Sequence, residues 1–253
     1  MRVQILGAAT GPGPGYQYVS SYLINGTLAV DAGSLGFWAT ADEQKEVTDL
    51  LLTHSHQDHV ASLPFFLENV YGLTSEPVRL HARRDTLAAL QSHVFNGVLW
   101  PDFFHLLPEH PFVRLHEVVP EERFDVNGLQ VVPVDVHHVV PTLGYVVSDG
   151  KSTVVLGADS GPTERLWQVA AEFPAPRLIF LEAAFPDSMS ALAGLAQHLT
   201  PKTFATEVQK LPPFDKLVAI HLKPRFRDQI AKELLALGLP RLTIGDCETT
   251  YEI

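Results

Sequence analysis

The sequence predicts an α/β fold built as two sheet halves that face each other. Three observations carry this. Short apolar runs alternate with amphipathic stretches along the whole chain. The strand-like runs are similar in number before and after about residue 125. Four of them stop at a His or an Asp, at 54–59, 138, 159 and 221. One such stop means little; four place these strand ends at one edge of a layered structure.

Length and composition set the limits. The chain has 253 residues, 46% of them hydrophobic, which suffices for a sizeable core in one domain spanning 1–253. A formal net charge of −11 argues against a broad footprint on extended nucleic acid. It leaves room for a small anionic substrate, because bound metal ions reverse the local field. Cys247 is the only cysteine, so neither a disulfide framework nor a thiolate metal site is expected. Met1 leads straight into a strand-like pattern, with no signal-type apolar region and no run long enough for a bilayer. The expectation is a cytoplasmic protein with no membrane partner.

Residues 2–6 alternate and stop at Gly7, as a strand does. Gly11-Pro12-Gly13-Pro14-Gly15 is a loop, either flexible or able to bring backbone close to a ligand. The runs 20–24 and 27–31 flank Asn25-Gly26, the strongest short-range hairpin signal. A polar helical stretch, 43–47, precedes the apolar run 49–52.

That run ends in Thr53-His54-Ser55-His56-Gln57-Asp58-His59, three histidines and a carboxylate within six positions. Imidazole nitrogen and carboxylate oxygen are ligands that zinc takes, and manganese and iron accept the same set. A loop at a strand end can turn all four toward one point. A surface histidine cluster is the alternative, but a packed H-x-H-x-D-H directly after a strand is far more specific. Asp31, at the close of the earlier hairpin, either ligates or, as preferred here, orients this loop by hydrogen bonds.

Residues 60–71 follow as a helix with Leu63, Phe66, Leu67 and Val70 on one face. A strand at 77–81 and a helix at 84–94 come next; His81 and His93 on them read as structural. Residues 95–110 are dense in aromatics and lack periodicity. They are either a satellite core under a loop or a stacking wall beside the site. Strands at 112–117 and 129–135 are joined through 125–128, and the second leads to His137-His138-Val139-Val140-Pro141 and a further strand at 142–147. The run 152–158 ends at Asp159, and Pro162 suits the first turn of a helix over 163–172. The strand 177–181 ends at Glu182, and a small-residue helix at 191–196 leads to His198. Thr200-Pro201 reads as the cap and first residue of a helix over 201–210. The last buried strand, 216–220, ends at His221; a helix at 226–237 and strands within 241–252 complete the chain.

Together these residues resemble the metallo-β-lactamase fold. The H-x-H-x-D-H loop, Asp159 after a Gly-Ala strand end and a late strand ending in His221 follow the order of that superfamily's ligands. His138-Val139-Val140-Pro141 with Gly144-Tyr145 resembles both the transfer-RNA 3′-end nucleases and the class II cyclic-nucleotide phosphodiesterases. Three stretches favour the phosphodiesterases: residues 95–103, residues 159–167, and His198-Leu199-Thr200-Pro201 with His221-Leu222-Lys223-Pro224. The likeness runs from residue 2 to the C-terminus. Gln57 departs from the usual leucine, and Ala158-Asp159-Ser160 from the commoner Gly-Asp-Thr. His137 leaves the register open by one, and the H-x-x-P spacing picks His138.

The resemblance implies a four-layer αββα sandwich and a site for two divalent ions, zinc foremost, with manganese or iron compatible. It implies that His54, His56 and His138 hold one ion, that Asp58, His59 and His221 hold the other, and that Asp159 bridges them. The implied activity is hydrolysis of a 3′,5′-cyclic nucleotide, cAMP foremost, to the 5′-monophosphate by attack of a metal-bridged hydroxide. Asp58 and His198 are the implied catalytic groups, His198 as proton donor or charge stabiliser for the leaving oxygen. Glu182 is expected to orient a ligand histidine from behind, and Asn96, Trp100 and Phe103, with His198, to contact the substrate. Two other functions stay open. One is an RNA 3′-end nuclease or another hydrolase of the fold, though no Lys/Arg-rich arm is evident. The other is a non-catalytic interaction module, which should have lost ligands, whereas all seven positions are filled. The oligomeric state is left open, a homodimer included.

Overall fold

Two seven-stranded sheets lie face to face, with helices on both outer sides. The computed structural model describes residues 1–7, 19–106, 109, 111–247 and 249–253. The glycine–proline loop at 11–15 lies outside the described residues.

The first half supplies β1 (Arg2–Ile5), β2 (Tyr22–Ile24), β3 (Leu28–Val30), β4 (Asp49–Leu51), β5 (Val78–Ala82) and β6 (Val113–Glu117). The second supplies β7 (Phe124–Val126), β8 (Leu129–Val136), β9 (Thr142–Ser148), β10 (Thr153–Leu156), β11 (Arg177–Glu182), β12 (Lys216–Ile220) and β13 (Leu242–Ile244). The last strand, β14 (Thr250–Glu252), returns to pair antiparallel with β1. The strand orders are β14-β1-β2-β3-β4-β5-β6 and β13-β12-β11-β10-β9-β8-β7. In each sheet a parallel set of four, β3-β4-β5-β6 or β10-β11-β12-β13, adjoins antiparallel hairpins.

The helices are α1 (Ala41–Gln44), α2 (Gln57–Val60), α3 (Leu63–Val70), α4 (Arg84–His93), α5 (Arg165–Ala171), α6 (Ser190–Ala196), α7 (Pro201–Val208) and α8 (Arg227–Ala236). Three apolar clusters separate the layers. Val3, Ile5, Val30, Leu51, Tyr145, Leu156 and Phe180 fill the space between the sheets. Leu50, Leu52 and Leu80 meet Leu63, Phe66 and Leu67 of α3 on one outer side. Val155, Ile179 and Leu217 meet Leu166, Phe204 and Ile230 on the other. Alternate residues of β4 thus face opposite clusters, so each strand feeds two cores at roughly 1.5–3 kcal/mol per buried Leu, Val or Phe. This is the αββα sandwich implied by the motifs. Among the described residues no helix is long and apolar enough to cross a membrane.

Three local readings change. The stretch 60–71 is two helices, because α3 begins at Leu63 with Pro64 in its first turn, where the missing N–H costs nothing. Ligand positions 58 and 59 sit on the single turn α2 instead of a loop. Of the stretch 125–128, read as a connection, Asp125 and Val126 belong to strand β7, which pairs to β8 across Asn127 and Gly128, both at positive φ. The aromatic segment takes the satellite-core alternative: Phe95 is fully buried, and Trp100, Phe103 and Phe104 pack against the α3-side cluster.

The sheets are tied to each other beside the histidine stretch. Buried Tyr145 on β9 donates its hydroxyl to the Leu52 carbonyl at 2.8 Å. The Leu143 amide donates to the Thr53 carbonyl at 3.0 Å. These contacts fix where β4 ends relative to the second sheet.

Candidate metal centre

The strand ends at 54–59, 138, 159 and 221 converge, as their positions in the chain predict. They form two groups of four: His54, His56, His138 and Asp159, and Asp58, His59, Asp159 and His221. Within each group one ligand atom per residue lies within 4.8 Å of every other. Asp159 belongs to both. Its Oδ2 lies 3.9 Å from His54 Nε2 and 3.2 Å from His221 Nε2, and its Oδ1 lies 3.3 Å from His59 Nε2. His138 Nε2 stands 3.3 Å from His56 Nδ1, so the register resolves to His138. His137 instead points its Nε2 at the Gln197 amide, 3.0 Å away.

Backbone strain marks three of the strand ends. Asp31 after β3, Ala158 after β10 and His221 after β12 have φ of +59°, +54° and +56°. L-residues avoid this region, at about 1–2 kcal/mol each, and such outliers gather at functional sites. Gly33 answers a different demand. A Cβ there would meet the Asp58 carbonyl oxygen at 2.2 Å. The Asp58 carbonyl also accepts from the Ser20 amide at 2.8 Å, and the His59 carbonyl from the Ala32 amide at 2.8 Å. Turn α2 is therefore cradled by backbone, which aims Asp58 and His59.

Buried Asp31 sits behind the ligands. It accepts from Thr53 N at 2.8 Å, from Thr53 Oγ1 at 2.8 Å and from His59 Nδ1 at 2.6 Å. Having spent its one proton on Asp31, Thr53 Oγ1 accepts from His54 Nδ1 at 2.9 Å. One carboxylate thus sets the tautomer of a histidine in each group and turns both Nε2 atoms inward. These are hydrogen bonds of the kind by which Asp31 was expected to orient the loop. Ser20 Oγ lies 3.3 Å from His221 Nδ1, and the Gln197 carbonyl 3.3 Å from His138 Nδ1. Sequence reasoning gave Thr53, Ser20 and Gln197 no role.

The electrostatics suit cation binding. Burial draws His54 well below the usual imidazole value, and His138 and His221 down to about 4. Their lone pairs are free of protons at neutral pH. Burial would also lower His59, but Asp159 and Asp31 outweigh it and hold it well above the usual value. Burial would raise Asp159, yet His221 and His59 keep it well below the carboxylate range. The Nε2 atom of His54 is buried with no hydrogen-bond partner, and that of His59 is buried facing the Asp159 carboxylate at 3.3 Å. Buried ring nitrogens around an ionised carboxylate are the donor set of a metal site, so the residues fit two divalent ions.

His198 and Glu182 adjoin both groups. The His198 ring lies 5.0 Å from that of His138 and 5.6 Å from that of His221. Its Nδ1 donates to Glu182 Oε1 at 2.6 Å. Glu182, fully buried at the end of β11, also accepts from the amides of Ser160, Ala184 and Leu199. Glu182 therefore holds His198, which belongs to neither group of four, and not one of the ligand histidines it was expected to orient.

Asn96, Trp100 and Phe103, expected to contact the substrate, make the following contacts, none of them with the seven ligands. The Asn96 side chain is spent locally, accepting from the amides of Val98 and Leu99. Trp100 packs on Phe65 of α3 at 5.0 Å, and Phe103 stacks on Phe95 at 5.9 Å. Trp100 and Phe103 line a groove of about 380 Å³ that includes none of the seven ligands. The physical reason is the apolar outer face of α3, which this segment covers.

Known proteins of the same build are recognisable. The chain is 27% identical over 190 residues to the 3′,5′-cyclic-nucleotide phosphodiesterase 1 of Saccharomyces cerevisiae, an alignment covering 65% of this chain and 51% of that protein. It is 31% identical over 131 residues to a ribonuclease Z of Mycobacterium, covering 48% and 46%. The chain therefore spans about half the length of the curated relatives it matches. Among solved structures, unliganded yeast PDE1 superposes with a TM-score of 0.76 at 19% identity, covering 98% of each chain. The metallo-β-lactamase fold protein YhfI of Bacillus subtilis superposes with 0.75 at 18%, covering 99% and 98%. At such identities the superpositions speak for the fold alone. The model of the β-lactamase superfamily domain matches residues 31–222, the span from Asp31 to just past His221, and the chain belongs to that family.

Proposed function

We propose that this protein hydrolyses a 3′,5′-cyclic nucleotide, cAMP foremost, to its 5′-monophosphate with two divalent ions, zinc foremost. The observation that carries the reading is His198, held by Glu182 beside a ligand of each group. Cleaving a phosphodiester requires cations over the phosphate oxygens, a nucleophile and a proton for the leaving oxygen. Bound divalent ions supply the first need and acidify water for the second. The chain supplies the third. Burial would lower His198, but Glu182 outweighs it and raises it, so the ring holds a second proton on Nε2 besides the Nδ1–H given to Glu182, and that Nε2–H is the donor for the leaving 3′ oxygen. The proton passes from Nε2 as the bond from phosphorus to the 3′ oxygen breaks. Asp58, the least buried carboxylate of the two groups, is placed to take the proton that the attacking water gives up.

A small substrate is favoured over RNA by the net charge of −11 and by the longer alignment to the yeast phosphodiesterase. The ribonuclease Z likeness keeps RNA 3′-end cleavage as the second reading. The test is a hydrolysis screen of metal-loaded protein on cAMP, cGMP, 2′,3′-cyclic AMP, bis(p-nitrophenyl) phosphate, a precursor transfer RNA and a β-lactam. Turnover of cAMP to 5′-AMP is expected. Turnover of the RNA or the lactam alone overturns the reading.

A further inference from the structure

Lys223 follows the ligand His221 by two residues, and its side chain lies against the second group. Its Nζ is 3.3 Å from His221 Nε2 and 3.8 Å from Asp58 Oδ2. Among the described residues, no lysine or arginine makes such a contact with His54, His56, His138 or Asp159. The two groups share Asp159 but differ in this one charge.

The chemistry of the contact is decisive. An ammonium is donor-only, so its approach to His221 Nε2 uses that nitrogen's lone pair. His221 Nδ1 is turned to Ser20 Oγ at 3.3 Å, so Nε2 is the atom offered to a cation. One lone pair serves one partner. The Lys223 contact and coordination of an ion by His221 therefore exclude each other. Asp58 is shared in the same way, as counter-charge to one cation or the other.

The lysine can yield. Its backbone is pinned, with its amide donating to the Ala184 carbonyl at 3.3 Å and Pro224 restricting it from the C-terminal side. Its side chain is a flexible four-carbon stem and a third exposed, so it can swing to solvent without disturbing the core.

We propose that Lys223 is a built-in competitor for the second group, so that the two ion sites fill in order: the His54–His56–His138–Asp159 site first, the Asp58–His59–Asp159–His221 site only as the ammonium withdraws. This rests on the two-ion reading above. It makes the second ion the exchangeable one and lets ion supply set the fraction of fully loaded protein.

The test titrates chelator-treated protein with Co²⁺ alone, followed by calorimetry and by the visible absorption of bound cobalt. The intact chain is expected to fill in two resolved steps, of which His56→Ala weakens the first and Asp58→Ala the second. Lys223→Met should tighten the second step by on the order of tenfold or more, the scale of relieving a unit charge some 4 Å away, and leave the first in place. Lys223→Gln should do the same. Arg225→Met, which removes a nearby charge stacked on Phe226, should move neither step. A second step that stays put or weakens in Lys223→Met overturns the competition, as does an equal shift of both steps, which is long-range charge alone. Binding of fewer than two ions by the intact chain overturns the two-ion reading itself, and the two failures are distinguishable.

Discussion

Replacing Asp31 by Asn changes one atom of a buried side chain and should loosen both ions. In the native protein one Asp31 oxygen accepts from His59 at 2.6 Å and from Thr53 Oγ1 at 2.8 Å. An amide nitrogen in that place presents hydrogens to two donors. His59 then prefers the tautomer with its proton on Nε2, pointing at Asp159, and Thr53 no longer holds His54 through its 2.9 Å contact. Removing such a partner behind a metal-ligating histidine costs about 10–100-fold in affinity, or ~1.4–2.8 kcal/mol per ion. The opposed donors, all at residues no more than 2% exposed, add about 1–3 kcal/mol of lost fold stability. In a chain of this size that lowers Tm by roughly 2–4 °C per kcal/mol. Metal content after dialysis against limiting zinc, with a thermal melt under chelator, reads both effects. Wild-type retention of two ions at an unchanged Tm would refute the orienting role, and loss of one ion alone would refute the link from Asp31 through Thr53 to His54.

Three more outcomes follow from particular contacts. Gly33→Ala drives a Cβ to 2.2 Å from the Asp58 carbonyl, so the second ion's affinity should fall by at least about tenfold while the first is retained, as read by metal titration. Ala158→Gly relieves a residue at φ +54°, about 1–2 kcal/mol of strain, against ~0.4–1 kcal/mol of added chain entropy, so chemical denaturation should show a net gain of up to about 1.6 kcal/mol. Asp49 gives a pH signature. Burial alone would raise it, but His81 at 2.9 Å and Arg79 hydrogen-bond to it and hold it well below the usual carboxylate range. A carboxylate depressed in the folded state stabilises fully above its unfolded value near 4 and loses that contribution as pH falls below it. The gap in unfolding free energy between the chelated native chain and Asp49→Asn should be about 1–3 kcal/mol at pH 7, allowing for the partly exposed Arg79, and should shrink toward pH 2. A gap that does not vary with pH removes the ion-pair account.

The ligands were legible because they stand where strands stop, and residue type and order at a strand end survive folding. Asp31 was legible for the same reason. The contacts that set tautomers were not: Thr53, Ser20 and Gln197 act through space, across up to 201 positions for Ser20 and His221, and nothing local marks them. Lys223 stood in a recognisable motif, yet its competition for His221 depends on a lone pair that only geometry reveals. Trp100 and Phe103 were ambiguous because aromatic density signals stacking in general and cannot say whether the partner is a substrate or a helix; both pack against the α3-side cluster. The split between α2 and α3 was hidden because an apolar face at helical spacing continues across the break at Ala61-Ser62.

The division of ligands between the sheets has a thermodynamic consequence. His54, His56, Asp58 and His59 follow β4 of the first sheet, whereas His138, Asp159 and His221 follow β8, β10 and β12 of the second. Neither half alone holds a complete set, so ions bind the docked halves and not their separated forms. By mass action each ion therefore adds docking free energy, about 2.7 kcal/mol at a free concentration a hundred times its Kd. Ion supply then tunes how firmly the two halves are docked as well as whether the centre can react, on top of the apolar core that already holds them together.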